Sequence, residues 1–278
     1  MRPYEIGLYE KAMPNDLSLE EKLLCAKELG YDYLELSIDE TDEKLARLDW
    51  TQAERDELKR AITAVGLNIG SICLSGHRKY PFGSKEHEAR AMEIMEKAIQ
   101  LAADLGVRVI QLAGYDVYYE KSDDATKSRF LAHLKEVTHL AARAGVVLGF
   151  ETMETSFMDT VWKSMFYVQA VNSPYLGVYP DTGNLTNASK IYKTDPILDL
   201  KSGSGHIVAL HLKETIPGHY REIPFGTGHV DFKAMTDCAW DMGIRRYVTE
   251  MWYVGQEDWK EDILKARTMM CGLLGAKE

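Results

Sequence analysis

The sequence predicts a closed (β/α)8 TIM barrel. Three observations carry that expectation: eight short apolar runs recur along the chain, helical patterns separate them, and glycines punctuate the helix ends. Those glycines are Gly30, Gly66, Gly106, Gly145 and Gly243, each followed within a few residues by a strand-like run. Glycine just past a helix is the usual stop, because it enters the left-handed backbone region without strain. Strands alternating with helices imply parallel strands joined by right-handed crossovers. Eight such units in 278 residues favour closure over an open doubly wound sheet. An open sheet would need a glycine-rich phosphate turn after an early strand, and Gly7 stands alone there.

Taken in order, strands are expected at 5–9, 33–38, 68–75, 108–115, 146–151, 176–181, 207–214 and 246–252. Helices are expected near 18–29, 51–65, 86–105, 123–143, 159–171, 195–202, 231–242 and 257–273. Ser18 with Glu21, and Thr51 with Glu54, have the spacing of a capping box, in which each residue satisfies a backbone N–H of the other. Residues 1–278 are expected to form one barrel domain without a long linker, with Gly275-Ala276-Lys277-Glu278 frayed at the end.

Composition narrows the partners. A net charge of −10 argues against nucleic acid or an anionic membrane, while a local basic pocket leaves an anionic metabolite open. Cys25, Cys73, Cys238 and Cys271 are scattered without a CxxC pair and are read as thiols in a reducing compartment. No signal-peptide pattern opens the sequence and no apolar run reaches bilayer-spanning length, so a cytoplasmic protein is expected. A homodimer is left open.

The stretch Ile207-Val208-Ala209-Leu210-His211-Leu212-Lys213-Glu214 begins apolar and ends in ionisable residues. Three other runs end in carboxylates, at Glu151, Asp181 and Glu250. In a barrel the strands' C-terminal ends carry the site, so these four residues on strands five to eight would share one rim. Thirty positions separate Glu151 from Asp181 and thirty separate Asp181 from His211, as one βα unit per residue would give. Three carboxylates and an imidazole suit one divalent ion, Mn²⁺, Mg²⁺ or Zn²⁺. Without a cation, carboxylates that close would repel and raise each other's pKa. If His211 points inward, period-2 alternation puts Ala209 and Lys213 on its side. Each residue alone has a structural explanation: a lysine partner across the barrel, or, for Asp181, a cap on the turn Asp181-Thr182-Gly183-Asn184. Four consecutive strand ends together favour a metal site.

Longer motifs point the same way. Phe150-Glu151, Tyr179-Pro180-Asp181-Thr182-Gly183-Asn184, His211-Leu212-Lys213-Glu214 and Pro224-Phe225-Gly226-Thr227-Gly228 with Asp231-Phe232 resemble the xylose-isomerase-like barrel superfamily. Within it, the runs Cys73 to Ser84, Gln111 to Tyr119, Ile38 to Glu43 and Arg47 to Trp50 look like the L-ribulose-5-phosphate (L-xylulose-5-phosphate) 3-epimerase family. The resemblance spans nearly the whole chain. It implies a metal held by Glu151, Asp181, His211 and Glu250, with Glu151 and Glu250 also serving as general base and acid on a ketopentose phosphate. Asp181 and His211 would be ligands only. Such chemistry needs a cation to stabilise a cis-enediolate and two carboxylates on opposite faces of the sugar.

Further candidates surround this core. Ser75, His77 and Arg78, with Lys79 beside them, are read as a phosphate clamp after strand three, against the alternative of a basic surface turn. Glu35 and Gln111 are read as contacts to substrate hydroxyls, against a hydrogen-bonded barrel interior. Arg221 matches a basic loop residue of superfamily relatives, against a solvated arginine. The rival functions are an aldose–ketose isomerase on the same frame, an endonuclease IV-like enzyme, and a non-catalytic sugar-phosphate binder. The second would require several metals and a histidine-rich cluster, and the third has no need of a metal between two carboxylates.

Overall fold

The computed structural model describes residues 3–275; the expected fraying at 276–278 lies outside them. Eight parallel strands form the barrel wall: β1 (Glu5–Tyr9), β2 (Tyr33–Ile38), β3 (Asn68–Leu74), β4 (Val109–Ala113), β5 (Val147–Glu151), β6 (Leu176–Tyr179), β7 (Leu210–Leu212) and β8 (Arg246–Thr249). Seven neighbouring pairs run in the order β6-β5-β4-β3-β2-β1-β8-β7. The remaining gap between β6 and β7 is spanned by two parallel bridges, Val178 to Ile207 and Asp181 to His211. Backbone bonds from Val178 N to His206 O (2.8 Å) and His211 N to Pro180 O (2.9 Å) complete the seam. Gly177 permits it: a Cβ there would lie 2.4 Å from the His206 carbonyl oxygen.

The helices are α1 (Leu19–Glu28), α2 (Asp42–Leu45), α3 (Gln52–Val65), α4 (Glu88–Leu105), α5 (Asp124–Ala144), α6 (Val161–Val171), α7 (Thr182–Tyr192), α8 (Pro196–Lys201), α9 (Phe232–Asp241) and α10 (Trp259–Gly275). Both expected capping boxes form, on α1 and α3. Gly66, Gly106 and Gly145 end α3, α4 and α5 with φ of 69°, 74° and 68°, where only glycine sits without strain. Two helices depart from the sequence expectation. The short α2 was not expected, and α7 occupies what reads as a turn. Its first turns carry Gly183, Asn184 and Asn187, poor helix formers, so the Asp181 cap and burial in the barrel's rim hold it instead.

Strand alternation separates two cores. Outward residues such as Leu8, Leu34, Leu36, Ile72 and Leu210 pack under the helices, while Tyr9, Tyr33, Cys73, Val109, Tyr179, Ala209 and Val248 fill the interior. Gly7, isolated in the sequence, has a packing reason: a Cβ there would collide with the Tyr33 ring at 2.3 Å. A register shift between β2 and β3 at Leu34/Glu35 sets Glu35 opposite Ser71. Glu35 shares the inward face of Tyr33 by alternation, and the extra residue in β3, Gly70, brings Ser71 opposite it.

Beyond β1 lies a buried ion cluster. Glu10 binds Arg47 through both oxygens (2.6 and 2.7 Å), Lys44 (2.8 Å) and Lys22 (3.2 Å), and accepts the Ser37 N–H (2.8 Å). Burial pushes the Glu10 carboxyl up, but Arg47 and the two lysines outweigh it and hold it well below the usual carboxylate range. Removing the shared anion would leave three buried cations without it. Glu10→Gln is therefore expected to cost about 3–5 kcal/mol, measured by urea denaturation. A loss under about 1 kcal/mol, typical of exposed ion pairs, would contradict this role.

Candidate active site and metal centre

Each cluster residue is delivered by a strand end. Glu151 is the last residue of β5, Asp181 follows β6 by two positions, His211 is the middle of β7 and Glu250 directly follows β8. One ligand atom from each lies within 4.8 Å of the others, and all four residues are buried. His211 Nδ1 stands 3.1 Å from Glu250 Oε2 and 3.4 Å from Glu151 Oε1. The two glutamates thus reach the same ring nitrogen from strands on opposite sides of β6 and β7.

A second ring of residues fixes these groups. Glu35 Oε1 accepts the His211 Nε2 proton at 2.7 Å, while its other oxygen accepts from Ser71 Oγ (2.6 Å) and Tyr179 Oη (2.9 Å). This arrangement points Nδ1 at the carboxylates, and that nitrogen would offer its lone pair to a metal once its proton is displaced, as expected of an imidazole oriented by a carboxylate behind it. Gln111 Nε2 donates to Glu151 Oε2. Asp181 has two tasks: Oδ1 caps α7 by accepting the Asn184 N–H (2.6 Å), and Oδ2 turns to the cluster. Lys213 shares the inward face of His211, with Nζ 3.1 Å from Asp181 Oδ2 and 3.5 Å from Glu250 Oε2.

Electrostatics here are strained by burial. It pushes the Glu151 carboxyl up, with Glu250 adding to the rise. Asp181 is also pushed well up by burial, against the opposing pull of Lys213. For Glu250 burial acts upward but Lys213 and His211 outweigh it, so it stays ionised. Burial lowers the His211 pKa, and the surrounding Glu35 and Glu250 more than reverse that. Oδ2 of Asp181 and Oε2 of Glu250 are buried and accept no well-aligned hydrogen bond. Two such oxygens beside a further carboxylate and an imidazole lone pair form a donor set that fits a hard divalent cation.

A cavity of about 70 Å³ lies directly over the cluster, lined among others by Tyr9, Lys11, Ser75, Arg78 and Trp252. A neighbouring one of about 180 Å³ shares Lys213, Glu250 and Trp252 with it. Of the other sequence candidates, Ser75 and Arg78 reach this pocket, and Arg221 sits at its exposed rim. Arg78 lies over the Tyr118 ring at 5.0 Å, and Glu154 stands between Arg78 (4.0 Å) and Arg221 (3.3 Å). His77 is placed elsewhere: its Nε2 donates to the Ala91 carbonyl (3.1 Å) and its ring packs on Phe82 with centroids 4.3 Å apart. Glu35 and Gln111 sit beneath the ligands and do not line the cavity. Sequence reasoning missed Lys11, Lys213 and Glu154 as site residues. Only Lys213 had a signal, its alternation with His211.

Two expectations follow from this geometry. Glu35→Gln should weaken divalent-metal affinity by roughly 10–100-fold, measured by titration calorimetry; unchanged affinity would show that Glu35 does not orient His211. Burial pushes the His77 imidazole down to about 4, whereas an unfolded histidine titrates near pH ~6.5. As pH falls, the unfolded chain takes up this proton first. Stability tied to His77 is therefore full above pH ~6.5 and declines by roughly 3 kcal/mol towards pH ~4. His77→Gln should remove that part of the acid slope in denaturant titrations, and an unchanged slope would refute it.

Residues 24–270 match the xylose isomerase-like TIM barrel family. The chain is 44% identical over 265 residues to the L-ribulose-5-phosphate 3-epimerase UlaE of Shigella sonnei, covering 94% of this chain and 92% of that protein. Among solved structures, an L-ribulose 3-epimerase aligns with a TM-score of 0.78 at 20% identity, covering 98% of this chain and 95% of that one. A D-psicose 3-epimerase of Clostridium cellulolyticum H10, solved with D-tagatose, aligns with a TM-score of 0.82 at 16% identity, covering 97% and 99%. At those identities the structures speak for the shared barrel, and the relative at 44% speaks for descent. The chain belongs to the xylose isomerase-like TIM barrel family and, within it, to the family of the L-ribulose-5-phosphate 3-epimerases.

Proposed function

We propose that the protein is a metal-dependent sugar-phosphate 3-epimerase that interconverts L-xylulose 5-phosphate and L-ribulose 5-phosphate. One observation carries this reading: Glu151 and Glu250, buried and carboxylate-bearing, reach the same His211 nitrogen from separate strands at 3.4 and 3.1 Å. Epimerisation at C3 requires a base on one face of the carbon and an acid on the other, and these side chains can supply both. The family and the name of its 44% identical relative support the substrate class.

Glu151, Asp181, His211 and Glu250 would hold one divalent ion, Mn²⁺, Mg²⁺ or Zn²⁺, with Glu35 and Gln111 keeping the ligands oriented. Such a cation, when bound, supplies Lewis-acid stabilisation of the negative charge that develops on O2 and O3. Glu151 and Glu250 exchange the C3 proton, one removing it and the other returning a proton to the opposite face. Asp181 and His211 act as ligands only. Lys213, within 3.5 Å of Glu250 and 3.1 Å of Asp181, favours the charged form of both carboxylates and, with His211, outweighs burial at Glu250. Ser75 and Arg78 at the cavity wall, with Arg221 at the rim, are assigned to the 5-phosphate; His77 supports the same turn from its buried position.

Glu250→Gln should abolish epimerisation while leaving the thermal transition nearly unchanged, with metal content measured beside rate. Near-normal turnover with metal bound would sink the two-carboxylate scheme. Arg78→Ala should lose roughly a hundredfold in kcat/KM, about 2–3 kcal/mol, on the phosphorylated ketose. Little should change on the same sugar without phosphate. Equal losses on both substrates would assign Arg78 to loop shape instead of phosphate.

A further inference from the structure

We propose that Lys213 is a further catalytic residue: its ammonium group faces the substrate cavity and shares the negative charge that develops on the sugar oxygens during epimerisation. This role rests on the epimerase reading above and goes beyond the support Lys213 gives to its neighbouring carboxylates. Lys213 is the first residue past β7 and two positions beyond His211, so it points inward one layer nearer the cavity. Thr182 clamps its backbone at both polar groups: the threonine hydroxyl accepts the Lys213 N–H (3.0 Å) and donates to the Lys213 carbonyl (3.2 Å). Thr182 directly follows Asp181, so the lysine is held in register with a cluster carboxylate. The side chain is buried, yet it forms part of the wall of both cavities over the site.

Geometry leaves the ammonium group with a donor to spare. It carries three N–H donors. Its carboxylate neighbours, Asp181 Oδ2 at 3.1 Å and Glu250 Oε2 at 3.5 Å, account for two at most and accept no well-aligned hydrogen bond. The Trp252 ring, another wall of the cavity, lies 5.8 Å from Nζ and favours the charge without taking up a donor. One N–H therefore remains for an oxygen of the sugar. Charge points the same way. Glu151, Asp181 and Glu250 bring three negative charges to the centre, and a divalent ion brings two positive ones, with the His211 imidazole neutral as a ligand. One negative charge is left over even before Glu35, behind His211, is counted. The reaction then builds further negative charge on O2 and O3. An anionic centre opposes that change, and a cation fixed beside it offsets the opposition most strongly where water is excluded. Among the described residues, Lys213 is the only lysine or arginine paired with the cluster. The rim cations pair with carboxylates outside it: Lys11 with Asp39, Arg78 with Glu40 and Glu154, and Arg221 with Glu154.

The test compares the metal-loaded native protein with two neutral variants. Lys213→Met and Lys213→Gln remove the charge while keeping most of the bulk, and the second still offers an N–H to Asp181. Each should lower kcat for L-xylulose 5-phosphate by roughly 10²–10³-fold with KM nearly unchanged, because the lost contact strengthens only as the charge develops. Bound metal, measured by elemental analysis, and the thermal transition should stay near their native values. A second readout needs no turnover. An N-hydroxyglycolamide bearing a phosphoethyl arm mimics the planar C2–C3 enediolate, and calorimetry should show its affinity falling by a similar factor in both variants. Near-native kcat in both, with metal bound and native exchange at C3 intact, overturns the role of Lys213 alone. So does a loss of rate that only tracks lost metal or a lowered thermal transition, which would place Lys213 in the framework. Native protein that leaves C3 unexchanged in D₂O overturns the epimerase reading, and this role falls with it.

Discussion

The protein is organised around an excess of buried negative charge. Glu35, Glu151, Asp181 and Glu250 converge in the barrel's interior, with His211 and Lys213 as the cations among them. Each unpaired carboxylate removed from water costs several kcal/mol, so the cluster depends on the partner each member has, and a metal ion could complete it. The interior aromatic layer of Tyr9, Tyr33 and Tyr179 excludes water and strengthens every interaction in the cluster.

Much of the frame serves to aim those charges. The β2–β3 register shift sets Ser71 opposite Glu35, whose other oxygen lies beneath His211 and orients the imidazole. The close β6–β7 approach at Gly177 brings Asp181 level with His211, as their bridge records. Asp181 then starts α7 with one oxygen and faces the cluster with the other, so its cap leaves one carboxylate oxygen open to a ligand. A carboxylate locked by a helix cap loses little further freedom when it takes up a ligand.

The barrel and the clustering of four strand-end residues at its rim were largely legible in the sequence, and the reason is periodic. Glycine stops and apolar strand runs are local signals, and strand ends at residues 151, 181, 211 and 250 fall on one rim whenever the barrel closes. What the sequence left obscure depends on depth. Glu35 and Gln111 read as substrate contacts because alternation tells inward from outward but not how far below the rim a side chain sits. His77 read as a phosphate donor because a basic triplet gives no hint that one member turns back to Ala91 and Phe82. Lys11 sits in a single 3-10 turn, Glu10–Ala12, and Glu154 in the loop after β5, both too short or irregular for periodicity to mark direction. The helix α7 was hidden by its own weak formers, since tertiary burial holds it.

In the proposed reaction one carbon, C3, loses its proton to one carboxylate and regains one from the other. Proton NMR in D₂O tests it most directly, with L-xylulose 5-phosphate, the protein and a divalent ion. Deuterium should replace hydrogen at C3 as L-ribulose 5-phosphate accumulates, with both C1 protons retained. Exchange at C1 with formation of an aldose phosphate, or turnover without any exchange at C3, would contradict it.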